Sequence, residues 1–115
     1  MPSAADAVPH PLPPPVVEGV AARFRALAEP MRIRILDRLR DGGMTATELA
    51  EALGTTQQNV SKHLGVLQRA GVVERRRDGA RSPYVIADPA VLELCGIVCG
   101  GLRREAEGLA RALSA

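Results

Sequence analysis

Six polar side chains, Gln57, Gln58, Asn59, Ser61, Lys62 and His63, crowd positions 57–63 of a 115-residue chain. Their types suit recognition rather than catalysis. A Gln or Asn amide matches the paired donor and acceptor on the adenine edge, while Ser and Lys reach phosphates or guanine acceptors. A second chemical feature is Cys95 with Cys99, four positions apart and therefore on one face of any helix, with β-carbons about 5 to 6 Å apart. A disulfide needs a closer approach, near about 4 Å. The pair fits shared coordination of a soft metal at about 2.3 Å per thiolate, oxidation, or plain packing as small hydrophobes. Two thiolates do not fill a four-coordinate site, so Cys95 and Cys99 of a second chain are the expected complement, with His10 a weaker candidate. Nothing points to an enzyme. The carboxylates are scattered, His10 and His63 have no evident acid or nucleophile partner, and no phosphate-cradling glycine motif occurs.

The elements that must position the polar cluster can be read on either side of it. Thr45 with Glu48 forms a capping box, followed by the apolar stripe Leu49, Ala50 and Leu53 and a stop at Gly54. Thr55 with Gln58 reads as a second capping box, and Val60, Leu64, Leu67 and Ala70 form the buried stripe of a second helix closed by Gly71. Two short helices joined by a tight turn, with the early residues of the second free of core duty, have the form of a helix-turn-helix. The alternative is the solvated face of an ordinary helical hairpin. Beyond Gly71, Val72–Arg77 and Pro83–Ala87 read as strands around the turn-prone segment Asp78–Ser82. Between Lys62 and Arg81, six positive residues face two negative ones, whereas the whole chain carries a net charge of only +2. Basic charge is therefore concentrated beside the helices. Strand alternation puts Arg75 and Arg77 on one face and Arg76 on the other, with Arg81 near the tip, where a hairpin can follow phosphates or enter a minor groove. The competing reading is a charged edge that discourages strand aggregation.

The remaining residues predict a mainly α fold with one small β-hairpin (α+β). Residues 1–15 read as a Pro-rich flexible tail without the features of a signal peptide, and 16–115 as a single domain. Val17, Val20, Ala21, Phe24, Leu27 and Ala28 form a first helical stripe. Pro30 opens a helix carrying Ile35, Leu36 and Leu39 that ends near Gly42 and Gly43. A long last helix, about 89–113, carries the seam Leu94, Cys95, Val98, Leu102, Ala106, Leu109 and Leu113. Pairing of the first and last helices across a two-fold axis would cover both stripes and set two reading helices about 34 Å apart. No membrane span is expected, and a cytoplasmic location is.

Taken in order, Phe24–Leu36, Thr47–Ala50, Val60–Leu67 and Ala70–Val73 resemble the ArsR/SmtB group of winged-helix transcriptional repressors, over about Val20 to the C-terminus. The resemblance implies a homodimer on a palindromic double-stranded operator, released by a metal, metalloid or oxidising signal. It implies that the helix from about Thr56 to Ala70 reads bases and that the hairpin is the wing. The expected DNA-binding set is Thr56, Gln57, Gln58, Asn59, Ser61, Lys62, His63, Arg75, Arg77 and Arg81. Two metal sites of the family are not expected here. Thr45 and Thr47 stand where many relatives have cysteines, and of Asp88, Ala90, Gly101 and Arg104 only Asp88 keeps a ligand type. A thiol-reactive signal is then expected at Cys95 and Cys99, shared across the dimer, with arsenite, zinc, cadmium or lead as effector and no cofactor required. The alternatives are a regulator with no metal site and a winged helix used for protein interaction.

Overall fold

Proline placement sets the first two helices of the computed structural model, which describes residues 8–114. Helix α1 (Pro14–Leu27) begins on two prolines, whose missing amides fall where a first helical turn has no intrahelical acceptors to offer. The folded domain thus starts two residues inside the segment read as tail; residues 1–7 of that tail lie outside the described residues. Helix α2 (Pro30–Leu39) repeats the device, and the Glu29 carboxylate caps it by accepting from the Arg32 amide at 3.0 Å.

Helix α3 (Ala46–Leu53) starts with the expected capping box. The Glu48 amide donates to Thr45 Oγ1 at 3.1 Å and the Thr45 amide donates to Glu48 Oε1 at 2.9 Å. We predict that Thr45→Ala lowers unfolding free energy by about 1 kcal/mol, read by urea denaturation. A change below the error of the measurement would show that the cap is redundant.

Helix α4 (Gln57–Arg69) starts one residue later than the sequence reading had it. Thr56, not Thr55, is the cap and accepts from the Asn59 amide at 3.1 Å, so Gln58 belongs to no capping box. The two adjacent threonines offer the same chemistry, and the left-handed Gly54 at φ 67° decides which of them reaches the helix start.

The strands are shorter than predicted. Strand β1 (Val73–Arg75) pairs antiparallel with β2 (Tyr84–Ile86), Val73 opposite Ile86 and Arg75 opposite Tyr84. Regular pairing stops at Arg75 because Pro83 has no amide to donate, leaving one bond from the Arg76 amide to the Pro83 carbonyl at 2.8 Å. Tyr84 also exchanges two backbone bonds with Met44, at 2.7 and 3.1 Å, which fixes the hairpin to the residue before the α3 cap. Gly43 permits that approach, since a β-carbon there would lie 3.0 Å from Val85 Cγ1 and 3.2 Å from Pro83 Cβ.

One core joins these elements. Leu27, Ile35, Leu36, Leu49, Val60, Leu64, Leu67 and Val72 are buried together at the meeting of α1 to α4 and the hairpin. Helix α5 (Ala90–Ser114) contributes only Val91 as a buried residue, with Leu94 partly covered. Beyond it, Ile97, Val98, Leu102, Leu109 and Leu113 are exposed, as are Val17, Val20 and Phe24 on α1. The Cα radius of gyration is 17.2 Å, against roughly 13 Å for a compact chain of this length. A 25-residue helix standing off the core accounts for the excess.

Candidate nucleic-acid interface

Helix α4 has two chemically distinct sides. Val60, Leu64 and Leu67 are fully buried, and the opposite side presents Gln57, Gln58, Ser61 and Lys62 to solvent. Helix α3 braces it from behind through the shared core, so the orientation of the polar side is fixed by packing rather than by the polar residues themselves. Residues from three elements then meet in one hollow. It is lined by Thr45 and Thr47 of the α3 start, Gln57 and Ser61 of α4, and Arg75, Arg81 and Tyr84 of the hairpin. The Arg75 guanidinium carbon lies 5.6 Å from the centroid of the Tyr84 ring, a cation–π placement that leaves the cation at the mouth of the hollow.

Four expected site residues are placed differently from the sequence reading. His63 is 7% exposed and packs inward, with the Arg32 Nη1 to His63 Nδ1 distance 3.2 Å, so it is not on the polar side of α4. The reason lies in spacing: His63 follows Val60 by three and precedes Leu67 by four, which puts it on the buried stripe. Asn59 is half-buried, and its side-chain amide donates to Thr55 Oγ1 at 3.1 Å. Arg77 does not share the face of Arg75. It lines a second hollow with Gly43, Arg76, Pro83 and Val85, which meets the first at Arg81, because pleated alternation ends where the pairing ends. Arg81 is tied back to α3 by an ion pair with Glu48 at 2.5 Å. Glu48 therefore serves both the capping box and the wing. The Thr45 amide first, and then Arg81, lower the pKa of its carboxyl from the ordinary value, which favours the charged form that makes both contacts.

Residues 27–76 match the family model described as a helix-turn-helix domain. An uncharacterised helix-turn-helix transcriptional regulator of Mycobacterium tuberculosis, Rv0081, is 43% identical over 84 residues, covering 72% of this chain and 74% of that one. Its crystal structure superposes with a TM-score of 0.73 at 39% identity, covering 84% of this chain and 97% of the other. The solution structure of the winged helix-turn-helix domain of Mb0332 from Mycobacterium bovis, described as homodimeric and possibly of the ArsR family, gives a TM-score of 0.75 at 31% identity and 93% coverage of each chain. The regulator KmtR of Mycobacterium tuberculosis is 40% identical over 90 residues, covering 78% of this chain and 69% of that one. The chain belongs to the ArsR/SmtB family of winged helix-turn-helix transcriptional regulators.

Within this ArsR/SmtB chain, α3 and α4 form the helix-turn-helix and β1–β2 the wing. Thr45 and Thr47 both border the polar hollow, Thr45 being occupied with the α3 cap. Asp88 pairs with Arg23, whose Nη2 also donates to the Ala70 carbonyl at 3.0 Å. That carboxylate is thus engaged in joining α1 to the end of α4 and the start of α5. Cys95 is half-buried and Cys99 exposed, and both are free thiols. Among the described residues no cluster of three or more His, Cys, Asp or Glu is placed to hold a metal ion. Also among them, no helix is long and apolar enough to cross a membrane.

Sequence reasoning missed three sets of connections: those made by Arg23, those made by Arg32 and the pairing of Glu48 with Arg81. Their side-chain partners lie 31 to 65 positions away, and their other acceptors, at Arg25, Ala26 and Ala70, are backbone carbonyls that carry no residue-specific signal.

Proposed function

We propose that this ArsR/SmtB regulator is a homodimeric repressor that reads double-stranded DNA with the exposed side of α4 and follows phosphates with the wing. The observation that carries the reading is the polar hollow where Gln57 and Ser61 of α4 meet Arg75 and Arg81 of the wing. Bases would be read by Gln57, Gln58, Ser61 and Lys62. Arg75 and Arg77 would lie against the backbone, and Arg81 would reach it on leaving Glu48. The exposed stripes on α1 and α5 are the proposed homodimer face, and pairing there would set two α4 helices one DNA turn apart.

The test is selection of duplexes from a random pool, followed by titration at several salt concentrations. Gln58→Ala or Lys62→Ala is expected to weaken the selected site by about 1 to 3 kcal/mol and relax its sequence preference. Arg75→Ala or Arg77→Ala is expected to lower the salt slope by about one, uniformly across sequences. An unchanged slope in both would remove the wing from phosphate contact. Failure to enrich any sequence would leave the protein-interaction reading in its place.

The proposed signal is a thiol-reactive one, arsenite, zinc, cadmium, lead or an oxidant, at Cys95 and Cys99. Both are free and share one face of the helix that carries the exposed apolar seam. A metal ion would draw further ligands from the second chain, and coordination there would shift the dimer away from operator spacing, with a coupling of about 1 to 3 kcal/mol. In a DNA-release assay across these agents, the Cys95→Ser and Cys99→Ser variants are expected to lose the response. Release identical to the parent would assign these thiols to packing alone.

A further inference from the structure

The Arg32 guanidinium meets three acceptors on two other helices. Its Nε donates to the Ala26 carbonyl at 2.6 Å and its Nη2 to the Arg25 carbonyl at 3.3 Å, both in the last turn of α1. Its Nη1 lies 3.2 Å from His63 Nδ1, in the middle of the buried side of α4. An arginine only donates, so Nδ1 must accept, which places the proton of the neutral ring on Nε2. One planar side chain of α2 thus joins the end of α1 to the helix that reads DNA.

We propose that Arg32 is a positioning residue for DNA reading, locking α4 to the end of α1 through the neutral His63 ring, and that proton uptake by His63 opens the lock. The inference rests on the DNA-reading function given above and adds a control to it. A protonated ring has no acceptor left for Arg32 and sets a second cation against the guanidinium. Its Nδ1–H has another partner at hand, because Glu29 Oε2 lies 3.8 Å away. That same oxygen caps α2 by accepting from the Arg32 amide. Protonation therefore exchanges one arrangement for another: His63 turns from Arg32 to Glu29, and the α1–α2 corner loses its hold on α4.

The charged groups facing the ring are Arg32 from α2, Glu29 from the α1–α2 junction and Lys62 from α4 itself. Burial lowers the His63 pKa below its ordinary value; Glu29 opposes this, while Lys62 and Arg32 add to it. The neutral, locked form consequently binds fewer protons than the released form. The lock is fully present above the ordinary imidazole range and is lost as pH falls through the lowered value.

The test measures affinity of the full-length protein, at fixed ionic strength from pH 7.5 to 5.5, for a duplex it has itself selected from a random pool. Wild type is expected to lose on the order of tenfold in affinity across this range. Added positive charge alone would tighten binding instead. His63→Gln supplies an acceptor oxygen that does not titrate, so its profile should be flat or rise towards acid. Arg32→Lys offers a single ammonium in place of a fork and should bind more weakly at pH 7.5 with a shallower profile. If Arg32→Lys does not fold, judged by circular dichroism, His63→Gln carries the test alone. A His63→Gln profile parallel to that of wild type would overturn the proposal, as would a neutral Nδ1–H tautomer of His63 in imidazole nitrogen NMR at pH 7.5. Failure of wild type to select any duplex would overturn the DNA-reading function and this inference with it.

Discussion

A chain carrying Val98→Asp and Leu102→Asp is expected to sediment as a monomer and to bind its selected duplex about 10² to 10⁴ times more weakly. Both side chains are more than half exposed on the single chain, at 55% and 60%, so their replacement removes little from its own core. Surface substitutions of this kind change folding stability by about 0.5 kcal/mol or less. Their cost falls on association. Two carboxylates on the apolar seam would be buried against the partner's seam without a counter-ion, which costs several kcal/mol per group. The size of the DNA effect follows from valency. A dimer binds its second half-site as an intramolecular event, an advantage of about 10² to 10⁴ that a monomer forfeits without losing any contact in the first half-site. Helical content and the unfolding midpoint should therefore stay close to those of the parent chain at low concentration. A double variant that still sediments as a dimer would move the interface off α5, and a monomeric one that binds as tightly as wild type would remove the two-fold reading mode.

The fold was legible wherever a local rule acts alone. The capping box at Thr45 and Glu48, the proline at the start of α2 and the apolar stripe of α4 each depend on residues within one or two turns, and each is present. The exposed side of α4 was legible at Gln57, Gln58, Ser61 and Lys62, which face solvent as their spacing requires. The surroundings of a side chain were not legible where it has two uses. His63 is polar enough for a groove, yet it stands at a buried spacing and finds Arg32 there. Asn59 can pair with adenine, yet Thr55 is nearer. Arg81 can reach a phosphate, yet Glu48 holds it in the free protein. Periodicity ranks positions by burial, and so places His63 inward, but says nothing of the partners of His63 and Arg81, 31 and 33 residues distant.

Leu64→Ala is expected to lower the unfolding free energy by about 2 to 5 kcal/mol, measured by urea denaturation at constant protein concentration. Leu64 is fully buried in the core that α1, α2, α3 and the hairpin share with α4. Truncation there removes transfer free energy and leaves a cavity that rigid neighbours close only in part. Against a typical total of about 5 to 15 kcal/mol, this is a large fraction. Gln58, six positions earlier on the same helix, faces the other way and gives the complementary result. Gln58→Ala should leave the denaturation curve within about 0.5 kcal/mol while weakening the selected site. Leu64→Ala should retain sequence preference at temperatures where the chain remains folded, because the exposed side of α4 keeps its residues. The contrast separates the duty of the inner stripe, which is to hold the helix, from the duty proposed for the outer side, which is to select the duplex. A Leu64→Ala protein of unchanged stability would mean that α4 is held chiefly by its polar ties to Arg23 and Arg32, at the Ala70 carbonyl and the His63 ring, rather than by its apolar side.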